Sequence, residues 1–169
     1  MAAKIIRFIN PDALAKPPSY THVVEVSGPG RTVYIAGQLG TGRDGNLVGG
    51  AGDFRAQAVQ VFDNLAAALA AVGAGFADVV KLNTYLADIT HLPMLREVRV
   101  DYLKAEALPA STTIAVSKFA REGALLEVEA VAVLPLAATR AKKSHAASRG
   151  ARAKKVATRK VRASRRKRS

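Results

Sequence analysis

The chain has 169 residues, 49% of them apolar, with no Cys and no Trp. That length suits one domain with a sizeable core, and the absent thiols exclude a disulfide framework, a thiolate metal site and a cysteine nucleophile. The net charge of +13 is unevenly placed: residues 1–138 hold 12 Lys/Arg against all 13 Asp/Glu, a net −1, and residues 139–169 hold 14 Lys/Arg with no acid, a net +14.

No apolar run reaches the length of a membrane span. The opening MAAKIIRFINPDALAKPP lacks the basic, apolar, small-residue order of a signal peptide, so a cytoplasmic protein is expected. Lys4–Ile9 is a short β-type run closed by Asn10-Pro11, and the Pro17-Pro18 pair excludes a helix or central strand in the segment that follows. Thr21–Ser27 and Thr32–Gln38 are β-rich and joined by Gly28-Pro29-Gly30-Arg31, a pattern that predicts a hairpin. Tyr20 stands just ahead of the first of these runs, where its hydroxyl either faces a cleft or packs.

Gly40, Gly42 and Gly45 spell a literal GxGxxG after a strand. A pyrophosphate site needs such glycines to open the next helix directly, and here NLVGGAG intervenes, so the stretch reads as a turn-rich loop. Asp53 is a good N-cap for a helix whose apolar stripe runs through Phe54, Ala58, Val61, Phe62, Leu65, Leu69 and Val72, and Gly73-Ala74-Gly75 stops it. Val79–Leu86 alternates, with Val80, Leu82, Thr84 and Leu86 on one face and Lys81, Asn83 and Tyr85 on the other. A second helix begins near Thr90, with Pro93 in its first turn and Leu92, Leu95, Val98 and Tyr102 as its stripe.

The order is β-β-β-α-β-α-β-β, which predicts a mixed sheet with two helices on one face. The other face is not plainly polar, because Val23, Val33, Ile35 and Val131 cannot all turn toward two helices. An uncovered apolar sheet face calls for a partner, and a homo-oligomer is the economical answer.

The last strand, LLEVEAVAVL, carries Glu127 and Glu129 two residues apart. Their side chains share a face with Leu125, Val131 and Val133 and lie about 6.5–7 Å apart. Leu126, Val128, Ala130, Ala132 and Leu134 fill the opposite face. Two carboxylates in apolar company are candidates for acid/base work, and an edge strand whose acids reach water is the plainer alternative. His22, His91 and His145 have no spacing that suggests a metal site or a triad.

Five stretches together resemble the reactive-intermediate deaminase family, the Rid or YjgF-like proteins. They are IAGQLG (35–40), the helix QAVQVFDNLAAALAAVGAG, the strand ADVVKLNTYLADI, Leu108-Pro109-Ala110 and the closing LEVEAVAV. The resemblance spans residues 1–136. It implies a chorismate-mutase-like α+β fold over residues 1–138 and a homotrimer with a small-molecule ligand cleft at each subunit interface. It also implies hydrolysis of small imines or enamines to a carbonyl compound and ammonia, with neither metal nor cofactor.

By the same resemblance Glu129 would position the attacking water, and Tyr20 and Gln38 would line the cleft. The family holds the substrate carboxylate with an arginine in Pro-Ala-Arg, by a forked hydrogen bond suited to guanidinium. This chain has Pro109-Ala110-Ser111. Serine offers a hydrogen bond without charge, and losing a charge-assisted pair to a ligand costs on the order of 2–5 kcal/mol. The usual 2-imino acids should therefore bind poorly, and Arg121, in the connection between the last two strands, is the arginine considered as a substitute.

From Ala138 onward the chain is Ala, Lys, Arg and Ser, a composition expected to be disordered alone. Lys142, Lys143, Lys154, Lys155, Arg159, Lys160, Arg162, Arg165, Arg166, Lys167 and Arg168 are candidate contacts to nucleic acid or another polyanion. With no aromatic among them, such binding would be phosphate-directed and salt-sensitive. The alternative function is thus a catalytically weak trimeric scaffold that clusters three basic tails, linked weak sites gaining avidity on one polyanion.

Overall fold

The computed structural model describes residues 5–50 and 52–136. The basic segment and its eleven named Lys and Arg lie outside the described residues. Strand β1 (Ile5–Ile9) pairs antiparallel with β2 (Val23–Ser27) as a two-stranded ribbon. Arg7 stands opposite Glu25 and donates to it at 2.7 Å.

The predicted hairpin does not form. Strand β3 (Gly30–Leu39) follows β2 after two residues but belongs to the other sheet, where Gly30 and Arg31 pair with Pro135 and Leu134. Those two residues, read as half of a turn, are ladder residues instead. The chain bends at Gly28, whose φ of 82° suits glycine, and β2 takes β1 as its partner.

The second sheet runs β3-β6-β4-β5, with β4 (Val79–Leu86), β5 (Ala110–Ala115) and β6 (Leu126–Pro135). Strand β4 is parallel to β5, and β6 lies antiparallel between β3 and β4. Helices α1 (Phe54–Ala71) and α2 (Leu92–Val100) supply the crossovers that parallel strands require. The result is the mixed α+β sheet with two helices that the order of elements predicts.

Helix α1 is fixed at both ends by its own sequence. The Asp53 carboxylate accepts from Ala56 N at 3.0 Å. At the other end Gly73, at φ 74°, lets Ala74 N reach Leu69 O at 2.9 Å and Gly73 N reach Ala70 O at 3.0 Å, a Schellman closure. Between the caps Phe54, Ala58, Val61, Phe62, Leu65 and Leu69 are buried against Ile35, Leu82, Leu86, Leu126 and Val128 of the sheet and Leu95 and Val98 of α2.

Buried Gln57 is the polar exception on this face. Its amide donates to Gly123 O at 3.0 Å and its carbonyl accepts from Leu125 N at 2.9 Å, tying the start of β6 to α1. Gly40 permits this, since a Cβ there would lie 2.6 Å from Gln57 Cβ.

Two face assignments need correction. A bulge between Val79 and Lys81 puts Val79, rather than Val80, into the core series with Leu82, Thr84 and Leu86. Val33 and Ile35 pack with the helices, not on the uncovered face, and Val23 belongs to the small ribbon. The apolar groups on the face away from the helices include Val131, its neighbour Tyr34, which is 80% exposed, and Ile114 at 47%. No helix among the described residues is long and apolar enough to cross a membrane.

Candidate active site

Strand β6 alternates as its sequence requires: Leu126, Val128, Ala130 and Ala132 are buried under the helices, and Glu127, Glu129 and Val131 are half-buried on the other face. Antiparallel pairing with β4 puts Asn83 directly opposite Glu129 and Tyr85 opposite Glu127. Asn83 Nδ2 donates to Glu129 Oε1 at 2.6 Å, and Tyr85 Oη donates to the same oxygen at 3.2 Å. Among the described residues Oε2 has no hydrogen-bond partner, so it is the oxygen available to a water or ligand.

Burial, followed by the charge of Glu129, raises the pKa of Tyr85. Its hydroxyl therefore stays a donor through the neutral range. Lys81, one step earlier on the same face, donates to Thr112 Oγ1 of β5 at 2.7 Å. Glu129 lines two cavities, one of about 370 Å³ beside Tyr34, Lys81 and Asn83 and one of about 320 Å³ beside Tyr85, Lys118 and Phe119.

The carboxylate of Glu127 lies over Gly37, where any Cβ would overlap it. Gly37 sits in a bulge between Ile35 and Gln38, where two residues of β3 oppose one of β6. The glycine thus makes room for a side chain from the neighbouring strand.

The other expected site residues lie elsewhere in the chain. Gln38 pairs with Val128, in the helix-facing series, and its amide turns back on Ala36 O at 3.0 Å. Arg121 is exposed in the loop before β6; its charge adds to the lowering of the Asp44 pKa, which is caused mainly by the hydrogen bonds from Asn46. Tyr20 is half-buried, edge-on to His22 at 5.2 Å, next to Thr21, whose N–H reaches Pro109 O at 3.2 Å. Ser111 pairs with Leu82 and so belongs to the helix-facing side of the sheet. No hydrogen bond among the described residues joins any of these four to Glu129.

Ser111 does have a partner that sequence reasoning missed. Arg99, in the last turn of α2, is only 5% exposed, and its Nη1 lies 3.5 Å from Ser111 Oγ. The signal was present, because Arg99 stands four residues after Leu95 and so falls at the margin of the buried stripe. Asn83 and Tyr85 were seen to share a face, but their partner on β6 could not be read from spacing.

The family model described as Endoribonuclease L-PSP matches residues 11–134. A 2-iminobutanoate/2-iminopropanoate deaminase of Dermatophagoides farinae is 32% identical over 116 residues, 68% of this chain and 85% of that protein. A human protein of the same name is 36% identical over 104 residues, 61% of this chain and 73% of its own. Among solved structures, YyfB of Yersinia pestis, a protein of unknown function in the Rid family, matches with a TM-score of 0.69 at 36% identity, covering 76% of this chain and 98% of that one. RidA of an Antarctic Psychrobacter matches at 0.57 and 35%, covering 76% and 99%. With the model matched over most of its length, and with relatives bearing these names, the chain belongs to the endoribonuclease L-PSP family, that of the Rid proteins.

Proposed function

We propose that the protein is a hydrolase of small reactive imines or enamines, acting on C=N bonds with an altered substrate preference. The observation that carries this reading is the Glu129 carboxylate, held through one oxygen by Asn83 and Tyr85, with no partner among the described residues for its other oxygen. Water adds to the imine carbon while Glu129 takes its proton. That proton passes to nitrogen to give the carbinolamine, whose hydroxyl proton is then transferred to the amine nitrogen as the C–N bond breaks, releasing ammonia and leaving the carbonyl compound.

Ser111 supplies no charge, so a substrate lacking a carboxylate is preferred. On this reading the protein is a homotrimer with its ligand cleft at the subunit interfaces, since one chain, whose Ser111 and Glu129 point to opposite sides of one sheet, does not bring the two together by itself. Tyr20 and Gln38 then act as lining, and Arg121 stays a loop arginine.

The test is ammonia release from freshly generated 2-iminopropanoate and from an imine without a carboxylate, by the natural chain and by Glu129→Gln, with the molecular mass measured in parallel. The expectation is near-background turnover of the first substrate, faster turnover of the second, and a loss of about 10²-fold or more in Glu129→Gln. Inactivity of the natural chain on every imine, with a trimeric mass, would favour the scaffold.

That second reading rests on the 14 Lys/Arg of residues 139–169, which no acid balances. A salt titration of DNA binding, with and without that segment, tests it. Equal binding by both chains defeats the scaffold.

A further inference from the structure

Strand β4 presents Lys81 and Asn83 on the face that carries Glu129. In the register of β4 against β6, Lys81 stands opposite Val131 and Asn83 opposite Glu129, which makes Lys81 and Glu129 diagonal neighbours. Such neighbours lie about 7–8 Å apart, close enough for a long side chain to meet a small molecule held at the other residue. Both line the same cavity of about 370 Å³, together with Tyr34 and Ala36 of β3.

Hydrolysis of a C=N bond needs two proton-handling groups, a base for the water and an acid for the nitrogen. Half-buried Lys81 is the donor here with protons to spare. Its ammonium has three N–H groups, and among the described residues its one hydrogen bond goes to Thr112 Oγ1 at 2.7 Å and no carboxylate pairs with it. Thr112 stands beside Asn83 in the β4–β5 ladder and so steers the amine along this face. The other donors at Glu129 are committed, because the Asn83 amide and the Tyr85 hydroxyl both bond to Oε1. Lys118 lines the second cavity, beside Tyr85, from an exposed position after β5.

We propose that Lys81 is the general acid that delivers the proton to the substrate nitrogen. The inference rests on the deaminase reading of Glu129 and names the group that serves the other end of the C=N bond. As water adds to the imine carbon, one O–H proton goes to Glu129 and one Lys81 N–H proton goes to nitrogen, giving the carbinolamine. Glu129 then returns its proton to the Lys81 amine, directly or through a water, and both groups regain their starting states. In the second step the carbinolamine hydroxyl proton goes to Glu129 while Lys81 protonates the amine nitrogen. The C–N bond breaks with its electron pair leaving on ammonia, and the carbonyl forms. One water is consumed, one ammonia is released, and no electron is gained or lost.

Ammonia release from freshly generated acetone imine and 2-iminopropanoate, by the full natural chain, Lys81→Met and Lys81→Arg at about pH 6 to 9, tests it. On the substrate that the natural chain turns over faster, Lys81→Met should lower kcat by about 10²-fold at the alkaline end, with a smaller change in KM. The loss should shrink toward acid pH, where solvent itself protonates the imine nitrogen. Lys81→Arg keeps a positive charge, but a guanidinium does not give up its proton, so this variant should be as slow as Lys81→Met. It also carries the test should Lys81→Met fail to fold. Full kcat in either folded variant overturns the role, and so does a loss that does not follow pH, which a merely structural lysine would give. A loss found in Lys118→Met instead assigns the acid to that lysine and overturns the proposal equally. Inactivity of the natural chain on both imines overturns the deaminase reading and this role together. Activity that Glu129→Gln abolishes and Lys81→Met leaves intact removes Lys81 alone.

Discussion

Asn83 and Glu129 face each other across two antiparallel strands, with the amide 2.6 Å from one carboxylate oxygen. The bond fixes which oxygen is held and, under the proposed reaction, which is left to meet water. An acid is useful as a proton acceptor only when its geometry is maintained through the reaction.

Replacing that amide by a branched apolar group of similar size removes the constraint while keeping the acid. Asn83→Leu should lower kcat for an accepted imine on the order of 10- to 100-fold, with a smaller change in KM. Tyr85→Phe should act in the same direction with smaller effect, and equally across neutral pH, because the Tyr85 hydroxyl stays protonated there. Steady-state kinetics at several pH values checks both, and a change confined to KM in Asn83→Leu would assign the amide to binding instead.

Gly37 has no room for a methyl group beneath Glu127. Gly37→Ala should displace the Glu127 carboxylate or open the β3 bulge, at a cost of about 1–3 kcal/mol in stability. Thermal denaturation of the variant beside Glu127→Ala and the double variant reads the coupling. If the clash is the cause, removing Glu127 should restore most of the lost stability.

Ser111 and Arg99 form a second testable pair. Restoring the family arginine with Ser111→Arg would place one guanidinium against another already buried. It should destabilise the chain by roughly 1–3 kcal/mol. Adding Arg99→Leu should relieve the repulsion and permit turnover of 2-iminopropanoate. Denaturant unfolding and ammonia release by the two single variants and the double variant form the cycle, and additive effects would mean that the side chains do not interact.

Tyr102 couples the two helices to alkaline pH. Its hydroxyl donates to Asp63 Oδ1 at 2.9 Å, and its ring stacks on Phe62 at 5.0 Å. Burial first, and Asp63 second, push its pKa up from 10.0 to about 12. A raised folded-state pKa means that the contribution is complete below pH 10 and is lost as the pH rises through about 12. Melting temperatures measured over that window should fall more steeply in the natural chain than in Tyr102→Phe. The variant should be less stable at neutral pH by about 0.5–1.5 kcal/mol. Parallel curves would show that another group governs the alkaline limb.

Local order was legible in the chain itself. Asp53, the 3.6-residue spacing of α1 and Gly73 state a helix with both ends, because caps and stripes depend on neighbours within one or two turns. The alternation of β6 likewise fixed that Glu127 and Glu129 leave the core together. Pairing was another matter. Gly28-Pro29 reads equally as a hairpin or as a bend between sheets, and what decided it was the last strand, β6, taking Gly30 and Arg31 into its ladder. Which amide holds Glu129 depended on the register of β4 against β6, a property of two distant segments that no local spacing encodes. Arg99 shows the same limit from the other side. Its place beside the buried stripe was visible, but that its charge lies next to Ser111 followed only from α2 packing across the edge of the sheet. Short-range sterics and hydrogen bonds determine elements, whereas the meeting of side chains from separate elements is decided by how the whole chain buries its apolar faces.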